Sequence, residues 1–187
     1  MSTRTNHYET NSVFFITFTC LNWLPLFENT NLYDFIYSWF NRLIKAGNKI
    51  CGYVIMPNHL HFLIYIPANS PLLNTVIKEG KRFMAYEIIK RLEKEKRNNL
   101  LSALQKGVSE IERLKGKHHK VFETSSDIKR CYSNDIILQK LYYMHHNPVS
   151  KKWQLADDFV NYIHSSAGYY ELNSRPLILL THYQDVV

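Results

Sequence analysis

The chain has 187 residues and a net charge of +7, with 45% apolar and 14% aromatic residues. That length fits one domain spanning 1–187, and the composition can bury a substantial core, which excludes global disorder. The charge favours a polyanionic partner, nucleic acid first and an acidic membrane surface second. Cys20, Cys51 and Cys131 are too few and too scattered for a disulfide framework or a cysteine zinc site. No stretch resembles a secretory leader or approaches the ~20 apolar residues of a membrane span.

Residues 13–20 are β-branched and aromatic and read as a strand, with Phe14, Ile16, Phe18 and Cys20 on one side and Thr17 and Thr19 on the other. Thr30-Asn31 is expected to cap a helix reaching about Ala46. There Phe35, Trp39, Phe40 and Leu43 recur at helical spacing, and Gly47-Asn48 closes it. Residues 50–56 and 59–66 read as two strands joined by a tight turn at Pro57-Asn58. In the second strand Leu60, Phe62, Ile64 and Ile66 share one face; His59, His61, Leu63 and Tyr65 share the other.

A helical pattern follows over 71–96 (Leu73, Val76, Ile77, Met84, Ile88), with Lys78, Lys81 and Arg82 together on its other side. Residues 93–118 read as a solvated helical insertion. Short strand material is expected within 120–124 and 128–132. Ser133-Asn134-Asp135 caps a last long helix that runs to about His146, with Ile137, Leu141 and Met144 as its apolar stripe; Asn147-Pro148 ends it. Residues 151–187 form an irregular C-terminal extension with a short helix near 156–162. The element order predicts an α+β fold: an antiparallel sheet with helices packed on one face. The other face, bearing His59 and His61, is then expected to be free to meet a ligand.

Two histidines one residue apart on a strand point their imidazoles to the same side and can share one metal ion. On the last helix, 100° per residue puts Gln139, Tyr143, His146 and Asn147 on one face, opposite the apolar stripe. If that helix approaches the histidine face, two imidazoles and one amide or further imidazole can hold a divalent ion. Such an ion polarises a phosphate oxygen, and the Tyr143 phenol can attack in line as the nucleophile. A phosphotyrosyl ester keeps the energy of the broken link, which suits strand transfer more than plain hydrolysis.

The run Gly52-Tyr53-Val54-Ile55-Met56-Pro57-Asn58-His59-Leu60-His61-Phe62-Leu63-Ile64 resembles the motif of single-tyrosine HUH transposases, closest to the REP-associated tyrosine transposases and their insertion-sequence relatives. Tyr143-Met144-His145-His146-Asn147-Pro148-Val149 is similar to their nucleophile segment. Weaker likenesses are Gly80-Lys81-Arg82-Phe83 and Tyr162-Ile163-His164-Ser165-Ser166-Ala167. The resemblance covers about residues 8–170 and implies a ferredoxin-like or RRM-like sheet. It implies that His59, His61 and Asn147 bind Mg²⁺ or Mn²⁺. It implies that Tyr143 joins a 5′ phosphate of single-stranded DNA beside a hairpin, in a prokaryotic cytoplasm near the nucleoid. Residues 93–118 are longer than the family pattern, and the aromatic stretch before the last helix is reduced to Val121-Phe122.

Other readings stand beside these. His146 and Gln139 are either site support or ordinary surface groups, and His145 reads as a solvated helix-end histidine. Lys78, Lys81 and Arg82 are either a DNA-contacting cluster or a solvated helix face. The enzyme reading competes with a non-catalytic hairpin DNA or RNA binder derived from a transposase, and with a structural histidine zinc site. Monomer and homodimer, with Tyr143 acting in cis or in trans, both remain open.

Overall fold

The computed structural model describes residues 7–186. Four strands, β1 (Ser12–Thr19), β2 (Lys49–Ile55), β3 (His59–Ile66) and β4 (Asp127–Cys131), form one antiparallel sheet in the order β2-β3-β1-β4. The helices are α1 (Leu26–Asn29), α2 (Tyr33–Lys45), α3 (Leu73–Lys94), α4 (Asn98–Lys106), α5 (Glu110–Leu114), α6 (Asn134–His146) and α7 (Ala167–Leu172). The expected α+β class is observed. The strand order, with α2 between β1 and β2 and α3 between β3 and β4, is that of a ferredoxin-like sheet.

One face of the sheet carries Phe14, Ile16, Phe18, Leu60, Phe62 and Ile64, and α2 and α3 pack on it. Gly80 of α3 permits their close approach: a Cβ there would lie 2.6 Å from the Trp39 indole. Leu104 of α4 is fully buried in the same core, so 93–118 is not merely solvated surface. Thr30 does not cap α2. Its hydroxyl donates back to the Leu26 carbonyl at 2.6 Å, because α1 precedes it and Leu32 takes the cap position. The other end of α2 closes as expected, with Gly47 at φ +91° and the Asn48 amide returning to the Leu43 carbonyl.

The histidine face is not open. It is itself apolar (Val13, Phe15, Val54, Leu63), and a strand that is apolar on both sides needs cover on both. Helix α6 supplies it through Ile137, Leu141 and Met144, with Tyr183 from the C-terminal extension. Gly52 lets α6 settle there: a Cβ would stand 2.6 Å from Met144 Cε and 2.7 Å from Leu141 Cδ2. A register shift between Ile50 and Gly52 marks the same spot in β2. Residues 164–166 close the β2 edge, with the Ile55 amide donating to His164 and the Ser166 amide to Tyr53. No helix among the described residues is long and apolar enough to cross a membrane.

Candidate active site

The histidine pair lies at the start of β3, where both side chains project under the C-terminal end of α6. His59 and His61 are 3% and 4% exposed, with ring centroids 4.7 Å apart. The Asn147 amide meets both: its Nδ2 donates to His59 Nε2 at 3.2 Å and to His61 Nε2 at 3.1 Å. The other ring nitrogens are also engaged. His61 Nδ1 donates to Thr17 Oγ1 at 2.6 Å, and His59 Nδ1 donates to Asn58 Oδ1 at 2.7 Å. The network therefore assigns the proton of each imidazole to Nδ1 and turns both Nε2 lone pairs toward one point. Metal-binding histidines are oriented in this way by their outer partners.

Electrostatics favour neutral rings. Burial, aided by the Lys152 charge, holds His59 down at about 4. Burial, His59 and Lys140 together hold His61 well below the usual imidazole range. Neutral imidazole is the form that ligates a metal. Among the described residues no group of three or more His, Cys, Asp or Glu gathers as a metal holder, so an ion here depends on Asn147 as third protein donor. Rotating the amide by 180° exchanges Nδ2 for Oδ1, and the donor set becomes two nitrogens and one oxygen. That set fits a divalent ion with open positions and lacks the thiolates of a closed zinc site.

Tyr143, one turn before Asn147 on α6, is 53% exposed, and its ring stands edge-on to His61 at 5.3 Å between centroids. Ser133 caps the start of helix α6, its side chain accepting from the Ile136 amide. Gln139 is exposed one turn earlier on the same helix. His146 is turned elsewhere: its ring stacks between Tyr142 and Phe159, and its Nδ1 bonds the Tyr142 carbonyl at 2.9 Å. His145 is not solvated. It is 3% exposed, its Nε2 bonds the Ser166 hydroxyl at 2.8 Å, and burial holds it at about 4.

The basic cluster on α3 divides. Lys78 is exposed. Arg82 lies over the Phe83 ring and 3.9 Å from Glu79. Lys81 is committed to the loop before β4: its ammonium donates to the Glu123 carbonyl at 2.8 Å and Ser126 Oγ at 3.2 Å, over the Phe122 ring.

Sequence reasoning passed over Thr17 and Asn58. The signal for Thr17 was its place opposite His61 in the β1–β3 register. It also passed over two aromatics beside His59: Trp23 and Trp153, each with its ring centroid 5.6 Å away.

Neither a family model nor a curated protein sequence matches the chain. Among solved structures, one of a REP-associated tyrosine transposase bound to a REP hairpin superposes with a TM-score of 0.60 at 12% identity, over 97% of this chain and 92% of that one. At that identity the likeness is one of fold. The chain is thus a structural neighbour of a REP-associated tyrosine transposase and shares its α+β fold.

Proposed function

We propose that the protein is a metal-dependent single-stranded DNA endonuclease and strand transferase that acts through a covalent 5′-phosphotyrosine at hairpin-flanked sites. The meeting of Asn147 with both imidazoles, beside Tyr143, carries this reading. His59, His61 and Asn147 are the proposed ligands of Mg²⁺ or Mn²⁺. When bound, the ion supplies Lewis-acid polarisation of a non-bridging phosphate oxygen. Thr17 and Asn58 hold the two imidazoles in their Nδ1–H tautomers, which keeps both Nε2 atoms on the ligand side.

Tyr143 attacks the phosphorus. A bond forms from its phenolic oxygen to phosphorus, the phosphorus–O3′ bond breaks, the phenolic proton passes to solvent, and the departing 3′ oxygen takes up a proton. Its half-exposed position lets a strand reach it while the two histidines stay buried. A later 3′ hydroxyl can reverse the step. The structural neighbour's REP hairpin supports a hairpin DNA as the partner. The basic charge suits a cytoplasmic, nucleoid-associated protein, as a single chain of one domain or as a homodimer.

The test is a denaturing gel. Wild type incubated with a labelled hairpin bearing a single-stranded flank, and with Mg²⁺ or Mn²⁺, is expected to give a shifted covalent adduct. Chelation and Tyr143→Phe should each abolish it. Salt-sensitive hairpin binding with no adduct under any metal would leave the non-catalytic reading in its place.

A further inference from the structure

Of the three tryptophans, Trp39 is core, while Trp23 is 52% exposed at the edge of the histidine pair. An exposed indole held in place by strained backbone needs a reason. Asn22 and Trp23 lie at φ +50° and +58°, a region that bulky side chains rarely adopt. The turn is pinned on both sides: the Asn22 amide donates to Glu123 Oε1 at 2.8 Å, and Asn58 Nδ2 donates to the Trp23 carbonyl at 2.8 Å. Asn58 is the residue that also orients His59. Lys152, itself exposed, holds its ammonium 4.5 Å from the centre of the Trp23 ring.

We propose that Trp23 and Lys152 form a nucleotide subsite for single-stranded DNA: the indole stacks one unpaired base, and the ammonium takes the adjoining phosphate. An exposed cation–π contact is weaker than stacking of a base on an indole, so an arriving base displaces Lys152 from the ring and frees its charge. Charge also sets the strand's course. Trp23 lines a groove with Thr19, Glu123 and Asp127; Lys129 pairs with Asp127 at 3.4 Å, and the Glu123 carboxylate there repels a phosphate. The backbone therefore passes on the Lys152 side, toward Trp153 and His59. The assignment of this nucleotide to the strand being cleaved rests on the function proposed above; the stacking itself does not.

The probe is fluorescein-labelled oligothymidylate of twelve nucleotides, read by anisotropy without divalent metal. Trp23→Ala is expected to weaken binding roughly 5- to 100-fold, and Trp23→Phe by much less. Lys152→Ala should flatten the slope of log K against log salt by about 0.7, one phosphate contact. Thermal melts establish that each variant is folded. If Trp23→Ala misfolds, quenching of wild-type indole emission by the same oligonucleotide, reduced in Trp23→Phe to the share of the remaining tryptophans, carries the test. A folded Trp23→Ala that binds like wild type overturns the proposal, as does quenching unchanged in Trp23→Phe. Because no metal or cleavage enters, a failed adduct assay with an intact Trp23 effect would refute the cleavage reading alone.

Discussion

Gly52→Ala tests whether the approach of α6 to the sheet sets the proposed site. The new methyl would lie 2.6 Å from Met144 Cε and 2.7 Å from Leu141 Cδ2, where ordinary contact begins at 3.4 Å. About 0.8 Å must therefore be found. Both obstructing groups belong to α6, and Met144 and Leu141 are 0% and 4% exposed, so neither tip has open space to enter. The helix is expected to yield. Overpacking of this kind costs about 1–3 kcal/mol, which in a chain of this size lowers the melting temperature by roughly 3–10 °C. The same displacement would stretch the 3.1–3.2 Å contacts of Asn147 beyond hydrogen-bond range and carry Tyr143 outward. A shift near 1 Å at a reacting group can cost about 100-fold in rate. Calorimetry and the rate of adduct formation should fall together. Adding Met144→Ala should recover part of both, a coupling that independent sites do not show. A Gly52→Ala protein with wild-type melting and wild-type adduct rate would refute the reasoning.

Acid should destabilise the fold. His59 and His145 sit at about 4 when folded, and His61 is also depressed, against about 6.5 in the unfolded chain. Unfolded chains then bind more protons, so this stability is complete above pH ~6.5 and is lost as pH falls toward 4, on the order of 1–3 kcal/mol for each of the two. A melting temperature flat from pH 7 to 4.5 would contradict it. Thr17→Val removes the acceptor of His61 Nδ1 and should weaken the metal requirement's half-saturation by roughly 10- to 100-fold; an unchanged metal titration of adduct formation would rule that role out. Lys81→Ala should lower the melting temperature, because two half-buried hydrogen bonds from its charge are worth up to about 1.5–3 kcal/mol each. Lys78→Ala should leave melting unchanged; the opposite pattern would return Lys81 to the surface role expected of it.

Alternation alone assigned the two faces of β3, since a period of two leaves no third choice for Leu60, Phe62, His59 and His61. The last helix was equally legible, from the Ser133 cap to Asn147-Pro148, because caps and breakers are local chemistry. The Thr30-Asn31 cap misled for the converse reason: one turn of helix before it had already claimed the Thr30 hydroxyl. His145 was legible and missed, since it extends the Ile137, Leu141 spacing by four more residues. The short helix Ala167–Leu172 left no comparable signal; it is ended by Asn173 in the left-handed region.

By itself the sequence determined the α+β class, the element order, the shared face of His59 and His61, and the helical face that carries Tyr143 and Asn147. Those follow from periodicities of 2 and 3.6 and need no knowledge of distant partners. Only the tertiary structure decided that α6 covers the histidine face. That outcome turns on the apolar surface of Val13, Phe15, Val54 and Leu63 and on the space left by Gly52. Packing across 88 and 86 residues of separation brought Asn147 to His59 and His61, and strand register supplied Thr17 to His61. It also left Trp23 exposed on a strained turn beside them, a position that no periodicity in the sequence marked.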